Sequence, residues 1–386
     1  MPAAVYPFSP FLAHPSRRAV KLNFLSGISA PALLRLAAHY AEHLDWRYAH
    51  RLAFLLCMSL FTSVVGLLEA LLFGRRITRQ DLHPAPLVIL GHPRTGTTHL
   101  HNLLSRDKRW AFATTWQVGF PSTFILLAPF RWLLTPLLDA TRPMDAVALD
   151  WDLPAEDEIA TCCLSGGESP YMALVFPRSR RWWPLFDVGQ APASQAAAWE
   201  AAFLFFCRKV TFAASGGGSP KPLLLKSPVH TARIATLRRL FPDARFVYAH
   251  RHPLAVFASA AHMAETYYNF TYLQAPASAQ ALQHFILQQG VLLHAEYVRQ
   301  RACIPAGSLA EVSFEELDQA PARALAKLYA TLGLGAYAGS PVAEAVERYS
   351  DTLRGFRKND HRVLGAELEA LVRQRWAAAF AEHAYK

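Results

Sequence analysis

The sequence predicts an α/β fold in three layers, a parallel central sheet with helices on both faces, preceded by an N-terminal helical apolar extension. Three observations carry this. The runs PLVIL (86–90), PLLLK (222–226) and ARFVYA (244–249) are short and almost wholly apolar, as expected of strands buried on both faces. Each is followed by a polar turn and then by a helical pattern, the rhythm of a parallel sheet. A long apolar run, RLAFLLCMSLFTSVVGLLEALLFGRR (51–76), lies before the first strand.

The elements follow in order. N-terminal helices are expected over about 29–73, a strand and loop over 87–98, and a helix from there to about 106. An apolar insertion without regular pattern occupies about 110–145. A helix begins near Pro154, since proline suits the first helical turn and Asp152 can cap it. The stretch SGGGSP (215–220) is a flexible break before the second strand. TARIATLRRLF (231–241) is helical, 244–250 a strand, and PLAVFASAAHMA (253–264) starts a further helix. Two regions result, 1–80 and 81–386.

With 386 residues, 52% hydrophobic and 18% charged, the chain can bury a large core, which excludes disorder on a large scale. Lys+Arg 39 against Asp+Glu 29 gives +10, which suits an anionic ligand, nucleic acid or an acidic membrane surface. No nucleic-acid reading motif accompanies the charge, so nucleic acid is not expected as a partner. The five cysteines are odd in number and form no C-x-x-C, indicating neither a disulfide framework nor a cysteine zinc site, and a reducing compartment fits. The first fifty residues lack a short apolar run behind a basic start, so no cleavable signal peptide is expected.

The 51–76 segment holds about 22 mostly apolar residues, enough to cross a bilayer at roughly 1.5 Å per residue. Arginines at both ends and Glu69 inside it keep three readings open: a spanning helix, a helix lying in the membrane surface, and an ordinary buried helix. FILLAPFRWLLTPLL (124–138) is also apolar, but its two prolines argue against a continuous span.

The turn after the first strand, G-H-P-R-T-G-T-T (91–98), is close to a nucleotide phosphate loop of the P-loop type, G-x-x-x-x-G-K-[ST]. Thr97 stands where the phosphate-gripping lysine belongs. Backbone amides at the helix start, with the hydroxyls of Thr97 and Thr98, can still surround an anionic oxygen, and the positive charge has moved to Arg94. After the later strand, Arg251 offers a planar fork for phosphate, and Ser259, about two helical turns on, adds one donor. A plain tight turn and a solvent-facing arginine are the ordinary readings of each motif alone; their coincidence favours anion sites.

P-R-T-G-T-T after one strand, K-S-P-x-H after another and A-H-R-H-P-x-x-x-x-x-S after a third together resemble the sulfotransferases that use 3′-phosphoadenosine 5′-phosphosulfate (PAPS), over roughly residues 80–365. The resemblance implies a P-loop-like sulfotransferase domain over 81–386, with PAPS as co-substrate and no metal. It implies that Arg94, Thr95, Gly96, Thr97 and Thr98 hold the 5′-phosphosulfate, and that Arg251 and Ser259 hold the 3′-phosphate. A sulfuryl donor has no γ-phosphate, so the Walker lysine has no task. Many cytosolic members carry lysine where this chain has Arg94, and a basic-glycine segment near the C-terminus, for which FRKNDHRVLG (356–365) offers Arg357 and Lys358 without the glycine.

Sulfuryl transfer, by analogy with phosphoryl transfer, requires in-line placement, positive charge on the transferred group and a base for the acceptor hydroxyl. Lys226 is the second cation beside Arg94, as the resemblance also implies. The base is open. Cytosolic members place it two residues after the lysine, where this chain has Pro228, so His230 does not inherit the role directly. DLPAEDEIATC (152–162) places Glu156, Asp157 and Glu158 at a helix start. A carboxylate serves as base in some branches, and Glu158 and Asp157 rank ahead of His230. Dipole complementarity in the first helical turn is the competing account of these acids. His92, His99 and His101 lack the i, i+4 spacing of a helical metal site.

Two other function classes compete. A P-loop kinase or nucleoside triphosphatase predicts the lysine that Thr97 replaces. A non-catalytic, membrane-anchored nucleotide-binding module predicts that Lys226 and the acids are dispensable. For a sulfotransferase, the apolar segments at 51–76 and 120–138 flank the first loop and suit a membrane interface, so the expected acceptor is a hydroxyl on a hydrophobic or lipid-like molecule. The expected location is the cytoplasmic face of a membrane, peripheral or anchored by one helix. If both segments are core, the protein is cytoplasmic and the acceptor a soluble phenol or alcohol. The oligomeric state is left open.

Overall fold

The computed structural model describes residues 5–9, 18–145, 147–355 and 363–386. Arg357 and Lys358 lie outside them. Five strands form one all-parallel sheet in the order β2-β3-β1-β4-β5: β1 is Leu87–Leu90, β2 Ala111–Phe112, β3 Leu223–Lys226, β4 Arg245–His250 and β5 Leu309–Ser313. The central β1 registers Val88 against Leu225 of β3 on one side and Phe246 of β4 on the other. The loops after β3, β1 and β4 therefore leave one carboxyl edge side by side, where open α/β sheets bind ligands.

The helices that position the site are α1 (Ala30–His39), α2 (Ala49–Thr78), α3 (Thr97–Leu104), α4 (Thr115–Gly119), α5 (Asp157–Ser165), α6 (Ala193–Ser215), α7 (Ile234–Leu240), α8 (Pro253–Thr266) and α9 (Ala279–Arg301). Successive strand residues point to opposite faces. Leu87, Ile89, Leu224 and Val247 pack with Leu100 and Leu103 of α3 and with Leu325 and Leu328 from the helix Pro321–Thr331. Val88, Leu90, Leu225 and Phe246 pack with Phe203 and Phe206 of α6 and Leu237 of α7. These are the three layers expected.

A third cluster lies beside the sheet, where Leu33 and Leu36 of α1 and Leu55 of α2 pack with Cys162 of α5, Phe257 of α8 and Ile286 of α9. The first eighty residues thus share a core with the rest of the chain. The expected helical stretch at 29–73 is two helices parted at Tyr40–Tyr48, and the second runs on to Thr78.

α2 is inverted relative to a core helix. Its inward residues include Arg51, Ser59, Thr62 and Glu69, while Leu60, Val64, Leu67 and Leu71 are 55%, 64%, 63% and 75% exposed. The polar side is pinned. Arg51 donates to the carbonyls of Ala19 and Tyr272, both at 2.9 Å. Glu69 accepts from the backbone N–H of Ile125 at 2.8 Å and of Leu126 at 2.7 Å, and pairs with Lys209 of α6. Burial pulls the Lys209 ammonium down to about 8 despite that partner.

The 110–145 insertion is more regular than its composition suggests. Thr114 and Gln117 form a capping box that starts α4, and Ala128–Leu137 is a 3₁₀-helix. The helix expected at Pro154 begins instead at Asp157. Residues 153–155 run beside 113–115, with Thr115 N–H donating to Leu153 at 2.9 Å and Ala155 N–H to Ala113 at 2.8 Å. These bonds hold the chain extended through Pro154. Asp152 pairs with Arg131 at 2.6 Å rather than capping.

Candidate active site

The loop after β1 is shaped by three residues of positive φ: Gly91 at 142°, Arg94 at 77° and Gly96 at 88°. A Cβ on Gly91 would sit 2.5 Å from the Ala249 carbonyl, so the loop lies directly on β4. Arg94 adopts this conformation at a cost of about 1–3 kcal/mol. Thr95 fixes it from behind, with its N–H and Oγ1 both donating to the His92 carbonyl, at 3.2 and 2.8 Å. Gly96, the N-cap of α3, supplies no side-chain cap, so the first-turn amides are left for an anion.

Arg94 joins the two expected anion sites. Its Nε donates to Ser259 Oγ at 2.9 Å and its Nη1 meets Asp145 at 2.9 Å. Burial lowers its guanidinium below the ordinary range, and Asp145 offsets part of that. Arg251 Nη1 donates to the Arg94 carbonyl at 3.4 Å, and its guanidinium lies 4.3 Å over the Phe314 ring. The residues predicted for the 5′ and 3′ ends of a nucleotide are thus adjacent.

Lys226 ends β3. Its Nζ stands 2.8 Å from Glu156 Oε1 and donates to Thr98 Oγ1 at 3.4 Å, which ties the strand end to the phosphate-type loop. Tyr171 donates to the other Glu156 oxygen. Burial acts to raise the Glu156 carboxyl, but the Lys226 ammonium and the Tyr171 hydroxyl outweigh it and hold the group below the usual range. Burial draws Lys226 below the ordinary lysine range, opposed by Glu156.

The three acids at the start of α5 point three ways: Glu156 is its extended N-cap, and Asp157 and Glu158 in the first turn diverge by roughly 100°. Asp157 turns to the back of β3, accepting from Lys226 N–H at 2.9 Å and lying 2.6 Å from His230 Nε2. Burial acts to raise Asp157, and His230 and the Lys226 amide bring it below its ordinary value. Glu158 is wholly buried, with Arg233 at 2.6 and 3.1 Å, Ser169 Oγ at 2.6 Å and Trp199 Nε1 at 3.1 Å.

Arg94, Thr97, Thr98, Lys226 and Glu156 line one cavity of about 370 Å³, continued by apolar residues including Phe54, Met58, Phe120 and Met144. Glu158, Asp157 and His230 do not line it. Glu156, present in the acid run but not put forward as a site residue, does. So do Tyr171 and Arg142, which no local signal marked.

A parallel sheet with a lysine-free turn after β1 and paired arginines at its carboxyl edge defines a group transferase of P-loop-like fold. In fold the chain is similar to sulfotransferase STF1 from Mycobacterium tuberculosis H37Rv, with TM-score 0.64 and 16% identity over 90% of each chain. It is similar also to sulfotransferase STF9 from Mycobacterium avium, with TM-score 0.58 and 18% identity over 92% of this chain and 96% of that one. The pattern of the sulfotransferase family matches residues 86–338, and the chain belongs to that family. It is 29% identical over 367 residues to the omega-hydroxy-beta-dihydromenaquinone-9 sulfotransferase Stf3 of Mycobacterium bovis and of M. tuberculosis CDC 1551, covering 95% of this chain and 90% of that protein.

Proposed function

We propose that the protein moves a sulfuryl group from PAPS to the hydroxyl of an amphipathic, lipid-like alcohol, as a peripheral enzyme at the cytoplasmic face of a membrane. The carrying observation is the Lys226–Glu156 pair, set between an anion loop and an apolar cavity. The relatives named for a hydroxylated menaquinone derivative support the acceptor class. A loop with an uncapped helix start and a buried arginine fits a phosphosulfate, and Thr97 in place of the Walker lysine speaks against ATP phosphotransfer.

In this reading Arg94, Thr95, Gly96, Thr97 and Thr98 receive the phosphosulfate, and Arg251 with Ser259 the 3′-phosphate. Lys226 stabilises charge on the transferred group and on the oxygen that leaves it. Glu156 takes the acceptor proton as the new O–S bond forms and the donor's S–O bond breaks, releasing the nucleotide bisphosphate. Glu156 replaces Glu158 here because only the former reaches the cavity. Asp157 and His230 position β3's end through the Lys226 amide.

Isothermal titration with 3′-phosphoadenosine 5′-phosphate and with ATP, followed by transfer from ³⁵S-labelled PAPS to a membrane lipid extract, tests this. Tight binding of the bisphosphate with label in the lipid fraction is expected. Binding of ATP alone overturns the donor, and label confined to water-soluble phenols or alcohols overturns the acceptor.

A further inference from the structure

We infer that α2 lies in the plane of an anionic bilayer, apolar face down, and that the acceptor reaches the cavity along the flank of this helix. The inference rests on the lipid-like acceptor proposed above and specifies how the protein meets it. On α2 the residues Leu56, Leu60, Val64, Leu67 and Leu71 recur every three to four positions and form one stripe, all at least 43% exposed. A contiguous exposed apolar stripe, unlike scattered single residues, marks an interaction surface. The helix cannot also span the membrane. Its opposite side is fastened to the domain from Arg51 to Glu69, so a span would draw the Glu69–Lys209 pair and α6 into hydrocarbon.

Charge selects the occupant. Arg75, Arg76 and Arg79 stand exposed at the C-terminal end of α2, and the chain carries +10. An anionic headgroup layer complements them, whereas a second copy would bring the same charge. Aromatic residues accompany the stripe as at membrane interfaces: Trp46, just before α2, is 83% exposed, and Trp132 is 68% exposed in the 3₁₀-helix that follows the Glu69-bound residues 125 and 126. Phe54 and Met58 line the cavity, and Phe61, on the same flank one turn further, is exposed at the stripe. This ridge runs from the apolar face to the cavity that Lys226 and Glu156 also line.

Co-sedimentation of the purified full chain with vesicles of equal parts phosphatidylcholine and phosphatidylglycerol, against pure phosphatidylcholine, tests the docked face. The wild type is expected to pellet with the anionic vesicles and to be released by salt. A Val64→Glu/Leu71→Glu variant, exposed at both positions, should lose at least tenfold in vesicle affinity. It should also lose tenfold in transfer to a long-chain alcohol embedded in those vesicles, while keeping its rate on a short water-soluble alcohol. Arg75→Glu/Arg76→Glu should weaken vesicle binding without touching the stripe. Wild type left in the supernatant, variants that pellet equally, or a wild-type dimer made monomeric by Val64→Glu/Leu71→Glu would overturn the inference. Vesicle binding without transfer to any alcohol would instead overturn the acceptor reading and leave the docked face standing.

Discussion

The Lys226 ammonium stands 2.8 Å from the Glu156 carboxylate at the wall of the cavity. The cation and the base proposed for transfer are therefore electrostatically one unit. Lys226→Met is expected to lower kcat by about 10²-fold or more with little change in bisphosphate affinity, as for charge used in the transition state. It should also move the acid limb of the pH–rate profile upward. The ammonium is what holds Glu156 low against burial, so its loss raises the carboxyl and the active carboxylate disappears at higher pH. Equal losses in affinity and turnover would make Lys226 a binding residue.

Two neighbouring acids should respond oppositely to the same change. Glu156→Gln removes the proposed proton acceptor and is expected to cost about 10²–10⁴ in kcat, with a smaller loss of stability than at Glu158, because Glu156 is partly exposed at the cavity and Lys226 keeps Thr98 as a partner. Glu158→Gln leaves the buried Arg233 without its counter-charge and should cost about 3–5 kcal/mol of folding stability. Thermal melts beside turnover numbers settle the assignment. A stable, inactive Glu158→Gln would reverse it.

Arg251→Ala should weaken the 3′-phosphorylated nucleotide by about 1.5–3 kcal/mol, the worth of a charge-assisted phosphate contact. The 3′-dephospho analogue should bind as before. Calorimetry with both ligands decides, and equal losses would remove Arg251 from the 3′-phosphate site.

His92, buried in the loop with Nδ1 2.6 Å from the Pro93 carbonyl, has its imidazole drawn by burial from 6.5 down to about 4. Between those values the unfolded chain takes up a proton that the folded one refuses. Its contribution to stability is complete above pH 6.5 and is lost as pH falls toward 4. From pH 7 to 5 this amounts to about 2 kcal/mol, and His92→Gln should flatten that part of the slope. Urea melts across this range check it. A variant as acid-sensitive as the wild type would assign the loss to other groups.

The strands β1, β3 and β4 are legible in the sequence because burial on both faces leaves continuous apolar runs. β2 has two residues and no readable period, while β5 alternates as a half-exposed edge, a weaker signal than a continuous apolar run. Glycines mark the loop at 91–96 because its backbone angles demand them. Which acid faces the cavity is not a local property. It depends on residues distant in sequence: Arg233 claims Glu158, His230 claims Asp157, and Lys226 with Tyr171 claim Glu156. For α2 the length was plain, but a polar side at helical spacing ordinarily faces solvent, and only the distant partners of Arg51 and Glu69 turn it inward.

The Glu69–Lys209 pair also has a consequence for biosynthesis. About 140 residues separate its members, which at about 5–20 residues per second is on the order of ten seconds of translation. Through that interval the emerging helix shows apolar residues on one side and an uncompensated carboxylate on the other, with neither α6 nor the sheet yet made. The nascent chain thus has reason to engage lipid or a holding chaperone before it has an active site, and a translation pause after α2 should increase aggregation in a lipid-free extract more than a pause after β4.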